Sequence, residues 1–264
     1  MQTLSGRVAV ITGGASGIGL AVAEAFARRQ MHVVIADRRP DRFEGALARI
    51  NAAGDAAAVA IETDVRDADA VQHLANRVLE RHGAIHVVCN NAGMSTLGYA
   101  WDTPLDQWQE LMAVNLFGVI NGVRSFVPIL QAQDEAHLVN TASLAGLLTS
   151  AGSAPYSASK HAVIGLTKAL RAELAIRWPH VGVSVLCPGE VATNLADETR
   201  SGGRDRDLAK VEALRARLAH AMAPSVVANA VVEGISDGRF WILPAGGAYL
   251  DGVRREMDEL LGPQ

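Results

Sequence analysis

Hydrophobic residues in this chain fall into short unbroken runs, separated by longer stretches in which they recur every third or fourth position. "RVAVIT" (7–12) is a run rich in valine and isoleucine that stops at glycines. Residues 17–29 follow with Ile18, Val22 and Phe26 on one helical face. The alternation then repeats. It predicts a strand at "MHVVIAD" (31–37), a helix over 40–52 closed by Gly54, a strand at "AAVAIETDV" (57–65), a helix from 67 to 81 and a strand at "IHVVCN" (85–90). Beyond these it predicts a long helix over 105–131, a strand at 136–143, a helix at 155–177 and a strand at 182–188. An amphipathic helix over 205–220 carries Leu208, Val211, Leu214 and Leu218 on one side. A helix at 224–236, a strand at 239–244 and a terminal helix at 251–261 complete the pattern.

Strands that are apolar throughout, not at alternate positions, suit a parallel sheet covered on both faces. Strand–helix–strand repetition implies right-handed crossovers and an α/β, doubly wound parallel sheet. No Pro/Ser-rich linker and no fixed-period repeat divides the chain, so residues 1–264 read as a single domain. "ADETRSGGRD" (196–205) reads as a mobile loop inside it.

Composition narrows the partners. Apolar residues make up 49% and charged residues 20% of the 264, an ordinary globular balance. A net charge of −4 offers no general polyanion-binding surface, which argues against nucleic acid. No basic start leads into an apolar stretch, and no 18 consecutive residues are apolar, so neither a signal peptide nor a membrane span is expected. Cys89 and Cys187 each lie in an apolar run and read as buried reduced thiols in a cytoplasmic protein. His82 and His86 are separated by Gly83, and no CxxC occurs, so no metal site is expected.

"TGGASGIG" (12–19) joins the first strand to the first helix, with Gly13, Gly17 and Gly19 spaced GxxxGxG. Glycines there let backbone approach a pyrophosphate, and the helix aims its free N–H groups at that anion. An ordinary strand-to-helix turn also favours glycine, but three spaced glycines point to a dinucleotide. Asp37 closes the second strand, where a carboxylate can accept hydrogen bonds from both ribose hydroxyls and repel a 2′-phosphate. That favours NAD. Arg38 and Arg39 follow at once, and a guanidinium there could reach the 2′-phosphate of NADP, so both coenzymes stay open.

"PYSASK" (155–160) begins a helix, with Pro155 in its first turn and Ser153 as the expected N-cap. Tyr156 and Lys160 are then one turn apart on one face. Taken singly, they could be a half-buried tyrosine and a surface lysine. Taken as a pair, an ammonium roughly 4 Å from a phenol favours the phenolate by up to about 4 kcal/mol at an effective dielectric near 20. That would bring a group of pKa about 10 toward 7, where a proton carrier works best.

These stretches, with Asp64 in "TDV", "NNAG" (90–93), "VNLFG" (114–118), Ser143 in "NTAS" and "PGEVAT" (188–193), resemble the short-chain dehydrogenase/reductase family in order and spacing over roughly 10–195. The resemblance implies a Rossmann-like, three-layer α/β/α domain, usually a homodimer or homotetramer. It implies that Ser16 and Ile18 join the glycines on the coenzyme, that Asp64 meets the adenine amino group with Val65 beside the ring, and that Asn91, Ala92 and Gly93 line the strand end. Pro188, Gly189 and Val191 would border the nicotinamide, and Thr193 would bond its carboxamide. Asn115, Ser143, Tyr156 and Lys160 would be the catalytic four, with Tyr156 and Lys160 also touching coenzyme. The chain departs from the family after its last strand, where "RFWILPAGGAYLDG" replaces an Asp-Gly-Gly ending.

The reaction so implied is hydride transfer between a nicotinamide coenzyme and a small-molecule secondary alcohol or ketone. Met94 to Leu97, Leu144 to Leu148, Glu190 and a lid over 194–220 are the expected substrate lining. Their leucines suggest an apolar substrate. The arginines of 205–220 read as a solvated face. An NADP(H)-dependent carbonyl reductase and a non-catalytic NAD(H)-binding redox sensor are the alternatives.

Overall fold

The computed structural model describes residues 1, 3–201, 205–244 and 247–262. Seven strands form one parallel sheet: β1 (Val8–Thr12), β2 (His32–Asp37), β3 (Val59–Glu62), β4 (Val87–Asn90), β6 (Ala136–Thr141), β7 (Val181–Leu186) and β9 (Trp241–Ile242). Their order is β3-β2-β1-β4-β6-β7-β9, with Val10 opposite Val34 on one side and Val88 on the other. The chain therefore winds outward in one direction from β1 and in the other from β4. Every residue of β1 is buried because helices cover both faces, which is why its sequence shows no alternation.

The helices divide between the two faces. α1 (Gly17–Ala27), α2 (Phe43–Ala53) and α8 (Pro224–Ser236) share one core with Phe26, Ile35 and Val231. α3 (Ala68–His82), α5 (Gly118–Leu130) and α6 (Ala154–Arg177) share the other with Leu74, Phe126 and Leu138. The result is the three-layer α/β/α Rossmann-like fold. α3 has unambiguous ends: the Asp67 carboxylate accepts from the N–H groups of Asp69 and Ala70, and Gly83 takes φ 72° so that its N–H closes on Leu79 O.

Several boundaries differ from expectation. The helix expected over 105–131 is α4 (Leu105–Met112) and α5 joined by a π-helical turn, Ala113–Phe117, which a continuous apolar pattern does not reveal. This run is long and apolar enough to cross a membrane by length and composition, but it turns Val119, Phe126 and Leu130 into the sheet. The 196–205 stretch is not all loop. Thr199–Ser201 (β8) pairs in parallel with Ser95–Leu97 (β5), and only residues 202–204 lie outside the described residues. Gly54 ends α2 in an extended conformation, φ −158°, not a left-handed one. β9 is only two residues long, and the terminal helix α9 (Gly247–Leu261) starts earlier than expected. In α7 (Asp205–Ala219), Leu214 and Leu218 are buried, while the Leu208 side chain lies outside the described residues. Both cysteines are buried and unpaired, and no metal-binding cluster occurs among the described residues.

Candidate active site

The crevice where strand order reverses, between β1 and β4, is where an open α/β sheet binds its ligand. Here it is a cavity of about 470 Å³ along the carboxyl ends of the strands, bordered by residues from Gly13 to Leu218. Eighteen of the expected site residues border it. Gly13, Ser16, Gly17, Ile18, Asp37, Arg38, Asp64 and Val65 lie toward one half, with Asn91, Ala92 and Gly93 at the strand end. Ser143, Tyr156, Lys160, Pro188, Gly189, Val191 and Thr193 border it too. Gly19 and Asn115 do not reach its wall.

Gly19 acts from beneath. A Cβ there would stand 2.2 Å from Gly13 O, so only glycine lets the turn fold back onto the helix. Gly17 takes φ 54°, a left-handed conformation that side chains other than glycine resist. Asn91 ties this turn to β4: its N–H donates to Thr12 Oγ1 at 2.9 Å and its Nδ2 to Thr12 O at 3.1 Å. Asp37 is held by the N–H groups of Ala15 (3.2 Å) and Arg39 (3.1 Å), which fixes its carboxylate at the end of β2. Asp64 is forked by Arg66, whose guanidinium holds its carboxyl below the usual range.

Asn115, fully buried in the π-helical turn, reaches the site through others. It accepts from Met94 N–H at 2.9 Å and donates to Met94 O at 3.0 Å and to Ser159 Oγ at 3.1 Å. Ser159 in turn donates to Tyr156 O at 2.7 Å. Ser143 starts a short 3-10 turn, and its Oγ accepts from Ala145 N–H at 3.1 Å. Ser153 stands at the start of α6 but does not cap it, because its hydroxyl donates to Ser150 O instead.

The Tyr156–Lys160 pair corrects the simple electrostatic expectation. Lys160 Nζ lies 5.7 Å from the centre of the Tyr156 ring and donates to Thr141 O at 3.0 Å. Burial pushes the phenol up, partly offset by its hydrogen bond with Ser143. Burial also pulls the Lys160 ammonium down to about 8. Desolvation outweighs attraction in the protein's own groups, so a phenol near 7 needs positive charge from elsewhere.

The substrate end matches much of the expected lining: Met94, Leu97, Leu144, Leu148 and Glu190 face the cavity, with Leu195, Leu214 and Leu218 from beyond residue 194. Arg217 was expected in a solvated face. It is indeed exposed, and it also borders the cavity and pairs with Glu190 at 2.9 Å. Arg42 also borders it and escaped sequence reading; Glu198 borders it as part of the expected 194–220 lining, but its partners were not foreseen. Glu198 pairs with residues about 160 positions away, and no local pattern marks such a contact.

A glycine turn and a Ser–Tyr–Lys set facing one crevice define the class, an α/β oxidoreductase built around a dinucleotide. The chain belongs to the short chain dehydrogenase family, whose model matches residues 7–203. It is 36% identical over 263 residues to 1-deoxy-11-beta-hydroxypentalenate dehydrogenase of Streptomyces exfoliatus, covering 97% of this chain and 89% of that one. It is 33% identical to C alpha-dehydrogenase of a Sphingobium species, covering 92% and 82%. A short chain dehydrogenase/reductase of Burkholderia phymatum, solved in complex with NAD, superposes with a TM-score of 0.93 at 37% identity, covering 100% of this chain and 98% of that one. The protein is accordingly a nicotinamide-dependent oxidoreductase.

Proposed function

We propose that this enzyme is an NAD-dependent dehydrogenase that interconverts an apolar secondary alcohol and its ketone. The observation that carries the reading is the meeting of Ser143, Tyr156 and Lys160 in the same cavity as the glycine turn. Bound NAD would supply the hydride acceptor and a positive charge beside the phenol. Tyr156 Oη takes the alcohol proton. Ser143 Oγ donates a hydrogen bond to the substrate oxygen. Lys160 would hold the nicotinamide ribose and start the proton relay, and the charge it carries below pH about 8 favours the phenolate. Asn115 is a positioning residue, holding Met94 and the Ser159 turn. In reduction the same groups act in reverse.

NAD follows from the fixed carboxylate of Asp37 and from the NAD complex of the Burkholderia relative. The relatives named for a hydroxypentalenate and as a C alpha-dehydrogenase support alcohol oxidation. The leucines around the substrate end support an apolar substrate. Residues 194–220 serve as the lid of one catalytic domain. Trp101 in the turn before α4, Leu105 at its start and Phe117 in the turn after it are exposed and support a homodimer or homotetramer. We place the enzyme in the cytoplasm, where its two thiols stay reduced.

The NADP(H)-dependent alternative keeps one observation in its favour, the arginines Arg38, Arg39 and Arg42 bordering the cavity. Paired fluorescence titrations with NADH and NADPH decide between them. A panel of apolar secondary alcohols, followed by coenzyme reduction, then tests turnover. Tight NADH binding with no hydride transfer to or from any alcohol or ketone would leave a redox sensor.

A further inference from the structure

Three guanidiniums converge in the cavity beside Asp37, and a carboxylate from about 160 residues further along the chain reaches into them. Glu198 follows the 3-10 turn Asn194–Ala196, in the segment that carries the substrate-side residue Leu195. Its Oε2 accepts from Arg38 Nη2 at 3.0 Å and its Oε1 from Arg42 Nη2 at 3.1 Å. Arg39 Nη1 lies 3.8 Å from Oε1, but its fork is taken by Asp41. Arg42 also reaches Ser16 Oγ, in the glycine turn, at 3.5 Å.

Two guanidiniums that present N–H groups toward a common point are a receptor for an anion with several oxygens. The neighbouring Asp37 is where ribose hydroxyls are read, so the anion such a receptor would meet in a dinucleotide is a 2′-phosphate. Glu198 already holds both guanidiniums, one with each oxygen. Its side chain is 23% exposed, so part of its charge is desolvated along with the pair.

We propose that Glu198 is a specificity-determining residue: it occupies the Arg38–Arg42 phosphate receptor from within the chain and so excludes NADP in favour of NAD. The inference rests on the NAD-dependent reading given above. Asp37 repels a 2′-phosphate but does not dispose of the arginines that would attract one. Glu198 does both, and because it belongs to the 194–220 segment, selectivity at the adenosine end depends on the placement of a substrate-side segment.

The test is a set of NADH and NADPH fluorescence titrations on wild type, Glu198→Gln and Glu198→Gln/Arg42→Gln at low salt. Glutamine keeps the shape and removes the charge from a partly buried position, and thermal melting checks each fold. The proposal expects the ratio Kd(NADPH)/Kd(NADH) to fall about tenfold in Glu198→Gln, the effect of removing one charge close to a phosphate in a largely aqueous setting. The double variant should give back most of that gain, since the phosphate then lacks one of its two cations. A ratio that moves less than twofold in Glu198→Gln overturns the proposal and leaves coenzyme choice to Asp37. So does equal weakening of both coenzymes, which would make Glu198 a strap only, or a gain that survives in the double variant. Wild type that prefers NADPH, or binds neither coenzyme, overturns the NAD-dependent reading itself. Wild type that prefers NADH while the variant ratio stays still sinks the Glu198 inference alone.

Discussion

Asn115 satisfies both backbone polar groups of Met94, accepting from its N–H at 2.9 Å and donating to its carbonyl at 3.0 Å. The two residues lie on different elements, Asn115 in the π-helical turn and Met94 in the segment leaving β4. A side-chain amide that mimics a strand neighbour thus holds one wall of the cavity. Asn115→Ala would leave two buried backbone groups without partners, at a cost of about 2–4 kcal/mol. Urea unfolding is expected to register that loss. NADH affinity is expected to weaken as well, because Gly93 lies beside Met94 on the cavity wall.

Tyr156→Phe removes the group assigned to carry the substrate proton and little else. Turnover should drop about a thousandfold while NADH affinity stays within a few-fold of wild type. Steady-state rates alongside fluorescence titration separate the two. Near-normal turnover in that variant would refute the assignment of Tyr156.

Gly19→Ala places a methyl group 2.2 Å from Gly13 O and 2.6 Å from Asn91 Nδ2. Neither neighbour is a free chain end, so the turn must open. The anion-binding N–H groups then lose their aim, and NADH affinity should fall by about tenfold or more. Unchanged affinity would mean that the turn tolerates a shift the coenzyme does not sense.

Lys160 is 3% exposed, and burial lowers its pKa from 10.5 to about 8. Between those values the unfolded chain holds the proton and the folded chain does not, so this group makes stability rise with pH from about 8 to 10.5. Below pH 8 the full desolvation penalty is present, at most roughly 3 kcal/mol. Lys160→Met removes that dependence. The stability difference between variant and wild type should therefore shift by up to that amount, in favour of wild type, as urea titrations move from pH 7 to pH 10.5. A difference that stays constant with pH would show that Lys160 keeps its ordinary pKa in the folded chain.

Much of the fold was legible because its signals are local. Continuous apolar runs such as Val8–Thr12 mark strands covered on both sides, and Asp67 and Gly83 mark the ends of a helix through their own side chain or backbone freedom. The Gly13–Gly19 turn and the Tyr156–Lys160 spacing were legible for the same reason. The π-helical turn was not, since one extra residue in a helix leaves the apolar pattern nearly unchanged. Nor was β8, whose Thr199–Ser201 pairs only with the three residues Ser95–Leu97.

By itself the sequence determined the sheet's class, the strand ends that carry chemistry and the residue types at those ends, because each depends on residues within a few positions of one another. Only the tertiary structure decided how those groups balance. It placed Asn115 behind the wall instead of on it, and it raised the Tyr156 phenol where pair attraction alone would lower it. It also brought Glu198 to Arg38 and Arg42. Burial and long-range pairing depend on the packing of the whole chain, and electrostatic energies inside it follow distance and desolvation, not sequence separation.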